Sequence, residues 1–298
     1  MKKLILKLLG YTGYTITKIM PTPLKKEVGI RIGKFDLIFP NFNPLIKTYR
    51  EQPDFAGEIS RLTSAVMKKY PDLVFLDVGA NAGDTAARVK LVADIPILSI
   101  EGDDISFSYL QRNTRQFEKM TLVKQFLGET EGVINASLDK KGWNTTIVPS
   151  ATGDSSIGIK TLDTVLRETA VPTGRKKIFK VDTEGFDTII IRGASQFLQE
   201  EKPVIYLEFN RDNMNAINED GLSTILRLTT HGYDKILFFD DRGRYILTTR
   251  LNDKPLIESL VNYANGKDGL IYYYNLCIFH EEDSDLALNM AAAEIAIG

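Results

Sequence analysis

The sequence predicts an α/β protein whose strands form an open sheet, with a ligand crevice at the strand ends. Three observations lead there. Short apolar runs alternate with segments of helical period through the middle of the chain. Two of those runs, Leu73–Val78 and Ile178–Val181, end in carboxylates followed by glycine turns. With 298 residues and 43% hydrophobic content, the chain can also bury one sizeable core.

The first run sets the frame. Leu73-Val74-Phe75-Leu76-Asp77-Val78 is a buried strand, and Gly79-Ala80-Asn81-Ala82-Gly83 is a tight turn. Asp84 then opens a helix whose unpaired N–H groups point back at the turn, which suits a polar ligand. A nicotinamide-binding turn places a glycine where Asn81 stands, so that a pyrophosphate can lie against the backbone. Asn81 fills that space, and the Asp77 carboxylate repels phosphate but can receive an ammonium. S-adenosylmethionine, which carries an ammonium and a sulfonium and no phosphate, fits this turn better than a dinucleotide.

Residues 1–35 hold eight Lys/Arg and one acid, Glu27, which leaves 29 basic against 38 acidic residues, a balance of −9, for the remainder. Leu4, Ile5, Leu8 and Leu9 share a helical face flanked by Lys2, Lys3 and Lys7. Either this basic helix rests on an anionic membrane surface from the cytoplasmic side, or it packs on the main domain with its lysines in water. No apolar run approaches the ~18 residues of a membrane span, and no signal-peptide cleavage pattern follows. Five prolines punctuate residues 21–53, Phe35–Phe39 reads as a short strand, and Glu58–Tyr70 as a helix. Residues 1–70 are therefore expected to cap the acceptor side of a domain spanning 71–283, with 284–298 a helical tail.

A helix over Asp84–Ala93 leads to a strand, Pro96–Ile100, that ends at Glu101, roughly twenty residues past the glycine turn and placed to accept from the ribose hydroxyls of an adenosine. Asp103 caps a helix over Ile105–Phe117, and Thr121–Phe126 is a third strand. Four glycines with Ser and Thr across residues 129–160 suggest hairpins or a loop over the site. Trp143 in that stretch either stacks on a sugar or pins the loop to the core. Thr161 is a candidate cap for the next helix.

Ile178-Phe179-Lys180-Val181-Asp182-Thr183-Glu184-Gly185 is the second informative run. Charges closing a core strand are costly unless they meet partners or ligands, which places Asp182 and Glu184 where a sulfonium and an acceptor would meet. A helix over Asp187–Leu198 follows, then a strand, Pro203–Phe209, ending in Glu208-Phe209-Asn210. His231-Gly232 ends a helix, and Tyr233–Phe239 with Tyr245–Thr249 forms a hairpin. A last strand over Leu270–Phe279 precedes His280, expected on the surface. The one cysteine, Cys277, excludes a disulfide framework or zinc-knuckle spacing. A net charge of −2 carries no general nucleic-acid footprint.

The Asp77–Gly83 turn, Glu101, the Thr161-Leu162-Asp163 helix start and Lys180-Val181-Asp182-Thr183-Glu184-Gly185 together resemble the FkbM-type methyltransferases over about residues 70–210. The turn is weakly specific alone; with the Lys-x-Asp-x-Glu-Gly run it is strong. The resemblance implies a class I, Rossmann-like, doubly wound sheet of seven strands, mostly parallel, with one antiparallel strand near its edge, here Leu270–Phe279. It implies O-methyl transfer from S-adenosylmethionine to a hydroxyl, often on a sugar, polysaccharide or glycosylated metabolite. Carried over, Asp77, Gly79, Asn81 and Gly83 bind the methionine end, Glu101 the ribose, and Asp182, Glu184 and Lys180 belong to the reacting centre. Gly102 departs from the pattern, since many relatives have proline there. A metal variant uses Asp182, Glu208 and Asn210. The rival from another class is a non-catalytic module binding an adenosyl ligand or a glycan within a biosynthetic assembly.

Overall fold

The computed structural model describes residues 27–141, 144–149, 155–264 and 271–297. The basic segment 1–26 and Trp143, and the readings attached to them, lie outside the described residues. Among the described residues no helix is long and apolar enough to cross a membrane.

The described chain opens on a hairpin, β1 (Glu27–Ile32) and β2 (Phe35–Pro40), followed by α1 (Leu45–Glu51) and α2 (Gly57–Lys69). Then come β3 (Val74–Val78), α3 (Asp84–Lys90), β4 (Ile97–Glu101), α4 (Asp104–Asn113) and β5 (Met120–Lys124). A four-stranded excursion follows: β6 (Phe126–Leu127), β7 (Gly132–Lys141), β8 (Asn144–Pro149) and β9 (Ser155–Lys160), ordered β6-β9-β7-β8. The chain returns through α5 (Leu162–Glu168), β10 (Lys177–Val181), α6 (Asp187–Arg192), α7 (Ser195–Glu201) and β11 (Val204–Phe209). It closes with α8 (Arg211–Ala216), α9 (Leu222–Arg227), β12 (Tyr233–Phe239), β13 (Tyr245–Arg250), α10 (Lys254–Ala264), β14 (Tyr274–His280) and α11 (Ser284–Ile297).

The main sheet runs β13-β12-β14-β11-β10-β3-β4-β5. From β11 to β5 every pairing is parallel, whereas β14 is antiparallel to both β11 and β12. This is the doubly wound, Rossmann-like arrangement with its antiparallel strand near one edge. The hairpin partner β13 adds an eighth strand beyond the seven implied by the resemblance. The order reverses direction between β3 and β10, and a ligand crevice opens at such a switch point.

Alternation along the strands assigns the two faces. Leu76, Val78, Phe179, Val181, Ile205 and Leu207 join one buried cluster with Leu162, Ile190, Phe197 and Ile257 of α5, α6, α7 and α10. Phe75, Ile178, Val204, Cys277 and Phe279 join the other with Leu62 and Val66 of α2, Ala86 of α3 and Met290 of α11. Cys277 is thus an inert core thiol, its pKa pushed up by burial.

Three expectations need correction. The helix over Asp187–Leu198 is two helices: Gly193 packs against the Gly128 carbonyl, and Asp163 caps α7 by accepting from Gln196 N at 3.0 Å and Phe197 N at 2.9 Å. The strand over Thr121–Phe126 is split between two sheets. His280 is buried rather than on the surface; its Nδ1 accepts from Glu282 N at 3.2 Å, and burial pulls its pKa down.

Candidate active site

A cleft of ≈ 490 Å³ lies over the carboxyl ends of β3, β4, β10 and β11, well within the range of small-molecule sites. Its position follows from the closeness of two turns. Asp182 N donates to the Val78 carbonyl at 3.1 Å, and Gly79 N to the Ile100 carbonyl at 3.0 Å. Gly79 has φ +75°, and a Cβ there would run into the Asp182 carbonyl oxygen. The glycine therefore serves the approach of the two strand ends to each other, and the ligand's access is secondary.

Glu101 closes β4 and lines the cleft. One carboxylate oxygen accepts from Asn81 N at 2.9 Å and the other from Asp103 N at 2.8 Å. Burial raises its pKa, and those two N–H groups oppose the rise. The acid thus ties the turn after β3 to the turn after β4, and Asp103 extends the tie by capping α4 through Ile105 N and Ser106 N.

Lys180 and Asp77 sit side by side in the parallel register of β10 and β3. Lys180 Nζ lies 3.2 Å from Asp77 Oδ1 and 3.4 Å from Asp182 Oδ2, and donates to the Gly79 carbonyl at 3.2 Å. Burial alone would lower the lysine's pKa; Asp77, Asp182 and Asp84 outweigh it and hold the ammonium charged. Asp77 is 0% exposed and stands behind Lys180 rather than on the cleft wall. Gly83 is likewise off the wall, at the N-terminus of α3. Gly79, Asn81, Glu101, Lys180, Asp182 and Glu184 do line the cleft together.

Around Asp182 gathers a group of carboxyls. Burial, then the Asp182 charge, pushes Glu184 up to about 7, against a hydrogen bond from Asn213 Nδ2 at 2.8 Å. The same two causes push buried Asp187 to about 7, although Thr183 N and Gly185 N donate to it. Burial first, with Asp182, Asp187 and Glu184 after it, drives Glu208 well above the ordinary range. Like charges this crowded cannot all ionise, so the cluster holds protons at neutral pH and can exchange them.

No known family model matches the chain, and no curated protein matches it. Among solved structures, the chain is similar to a precorrin-6y C5,15-methyltransferase from Geobacter metallireducens, at 14% identity over 70% of this chain and 80% of that one, with a TM-score of 0.36. It is similar to the plantazolicin methyltransferase BamL crystallised with SAH, at 10% identity over 79% and 89%, with a TM-score of 0.42. A third likeness is to TYW2 of M. jannaschii in complex with AdoMet, at 10% identity over 90% and 91%, with a TM-score of 0.39. None of these likenesses fixes an activity.

The other half of the cleft draws on the segment expected to cap the acceptor side, but its individual lining residues were not foreseen. Pro44, Leu45 and Thr48 at the start of α1, Phe55 and Ala56 before α2, and Glu58 in its first turn form one wall. Tyr206 of β11, Tyr273 just before β14 and Asn275 within β14 form the floor. Glu58 is 2% exposed and accepts on one oxygen from Tyr206 Oη at 2.7 Å and Asn275 Nδ2 at 3.1 Å. Tyr206 is register-paired with Lys180, so a row of polar side chains, Asp77, Lys180 and Tyr206, crosses the face that α2 covers. Polar residues at matching positions of apolar strands were the available signal for that row. Nothing local marks Glu58 or Asn275, 217 residues apart. The metal variant's Asp182, Glu208 and Asn210 all line the cleft; among the described residues no group of three His, Cys, Asp or Glu is placed to hold a metal ion.

Proposed function

We propose that the protein transfers a methyl group from S-adenosylmethionine to a hydroxyl oxygen of a sugar, polysaccharide or glycosylated metabolite. The observation that carries this reading is the charge of the cleft. Among its described lining residues stand seven carboxyl side chains (Glu58, Asp84, Glu101, Asp103, Asp182, Glu184 and Glu208) and one cation, Lys180. Such a wall favours a ligand with an ammonium and a sulfonium and disfavours a pyrophosphate, which weighs against a nicotinamide dinucleotide.

Bound there, S-adenosylmethionine would supply an electrophilic methyl group. The chain's own part is positioning and proton transfer. Glu101 retains lone pairs for the ribose hydroxyls beyond the two backbone donors it already meets. Gly79, Asn81 and Gly83 shape the turn that faces the methionine end. Asp77 acts through Lys180 as a positioning residue, fixing the ammonium that in turn orients Asp182. Glu184, with its pKa near neutrality, receives the proton of the acceptor hydroxyl. Residues 27–70 supply one acceptor wall, in keeping with a cap on the domain that follows.

Calorimetry tests the donor: heat of association with S-adenosylmethionine or S-adenosylhomocysteine is expected, and its absence from folded protein would overturn the reading. Labelled-methyl transfer into glycan and glycolipid pools tests the chemistry. Changing Asp182 and Glu184 together to amides should abolish transfer while keeping cofactor affinity within about tenfold. Full activity in that double variant refutes the base assignment, and activity that survives EDTA removes the metal variant.

A further inference from the structure

Among the described residues that line the cleft there is one cation, Lys180, and its neighbours bear on which acceptors can enter. Lys180 donates to the Gly79 carbonyl and is ion-paired with Asp77 and Asp182, and its side chain is 3% exposed. Arg88 is buried against the Tyr49 ring and donates to the Pro53 carbonyl, and Arg211, next to Asn210 in the chain, donates to the Asp220 carbonyl and to Asn215 Oδ1. Arg61, further along α2, is held by Glu294 and the Gly243 carbonyl. The wall itself offers rings (Phe55, Tyr273), amides (Asn210, Asn275), hydroxyls (Thr48, Tyr273) and carboxyls (Glu58, Glu208). Rings stack on the apolar faces of a sugar, and amides and carboxyls pair with its hydroxyls. Among the described lining residues an anionic group meets no cation besides Lys180, and would lose its hydration beside carboxyl groups.

We infer that the acceptor bears no negative charge on the portion that enters the cleft: it is a neutral or amino sugar unit, and neither a uronate nor a phosphorylated sugar. This narrows the methyl-transfer reading and rests on it. A uronate or phosphate placed against Asp182 and Glu208 would give up its hydration in a wall of carboxyls without meeting a cation of its own. A sugar joined to a nucleoside diphosphate or a lipid phosphate would have to keep its phosphates outside the cleft.

Two measurements on the whole chain, saturated with S-adenosylhomocysteine, decide it. The first compares thermal melting in inorganic phosphate with melting in chloride of equal ionic strength. No shift is expected in the parent protein, whereas Thr48→Lys, which adds a flexible ammonium to the wall, should gain one. A phosphate shift in the parent that Asp182→Asn enlarges overturns the inference. The second separates methyl-labelled oligosaccharides by ion exchange. Label is expected in the neutral or cation-exchange fractions, and label concentrated in the anion-exchange fraction overturns the inference. Both overturning results leave S-adenosylhomocysteine binding intact; loss of that binding sinks the methyl-transfer reading instead.

Discussion

The two halves of the cleft are built differently. On the side proposed for the cofactor many contacts are accepted from backbone: Glu101 accepts from Asn81 N and Asp103 N, and Asp103 from Ile105 N and Ser106 N. On the acceptor side they are made by side chains from remote segments: Glu58 with Tyr206 and Asn275, and Glu184 with Asn213. Backbone donors have fixed positions, so the first half is preorganised for one ligand. Side-chain networks can be exchanged residue by residue without disturbing the sheet, so the second half can change its acceptor while the fold stays constant.

If that contrast holds, the largest effect of a single substitution belongs to the cofactor side. Gly79→Ala forces a side chain into a left-handed conformation and against the Asp182 carbonyl. The expected cost is about 3 kcal/mol of stability, with S-adenosylhomocysteine binding lost, read by denaturant titration and calorimetry. Next comes Glu101→Gln. One of the two backbone N–H groups would then face an amide NH₂ in place of an oxygen, a loss of about 1–3 kcal/mol. Cofactor affinity should fall by at least about tenfold, the equivalent of about 1.4 kcal/mol. A Tyr206→Phe or Asn275→Ala protein with an equal loss of cofactor affinity would break the contrast, because those changes should raise the acceptor KM and leave cofactor binding alone.

A third prediction concerns pH, and its sign follows from Glu184 and Asp187, both pushed up to about 7 in the folded protein from ordinary values of 4.5 and 3.8. A carboxyl raised on folding holds its proton longer in the native state. Its contribution to stability is complete below the unfolded value and is lost as pH rises through the folded one. The ligand-free protein should therefore lose stability between about pH 5 and 7. Buried His280, lowered on folding, runs the other way near its unfolded 6.5, so the diagnostic is the difference between the parent and a Glu184→Gln, Asp187→Asn variant. S-adenosylmethionine should release protons on binding in this window and S-adenosylhomocysteine fewer, because only the former brings a sulfonium. Calorimetry in buffers of different ionisation enthalpy reads that difference.

How much of this was legible follows the same division. The turn after β3, the acid closing β4, the caps Asp103 and Thr161 and the left-handed Gly232 all depend on residues within a few positions of one another, and the sequence displays them. The sheet's strands were legible because each is a short apolar run. The break between α6 and α7 was not, since it depends on Gly128 approaching Gly193 from 65 positions away. Nor was the burial of Asp77 behind Lys180, where a carboxylate free to meet an ammonium had been expected. Strand register, which local pattern does not reveal, put the lysine between the acid and the cleft. The segment proposed to cap the acceptor side was legible, but its individual contacts were not, because Glu58, Tyr206 and Asn275 meet from far apart in the chain.

The smallest expected effect sharpens the boundary between the two halves, because it concerns a cofactor-side residue that local pattern did not mark. Gly102, the position where many members of the resembled family have proline, lies under the Phe126 ring, which a Cβ there would strike. Phe126 and Gly102 both line the cleft. Absence of a side chain at 102 thus lets the ring settle beside Glu101, and a larger residue at one position should be tolerated only with a smaller one at the other. Since the ring is only half-buried, it can swing aside, so Gly102→Ala should cost about 1 kcal/mol and weaken S-adenosylhomocysteine severalfold rather than abolish its binding. Phe126→Leu alone should cost a similar amount through lost contact. The pair Gly102→Ala with Phe126→Leu should fall well short of the sum, and a double-mutant cycle by calorimetry measures the coupling. Additivity would mean that the ring does not rest on the glycine when ligand is bound, and that the cofactor wall is as adaptable as the acceptor wall.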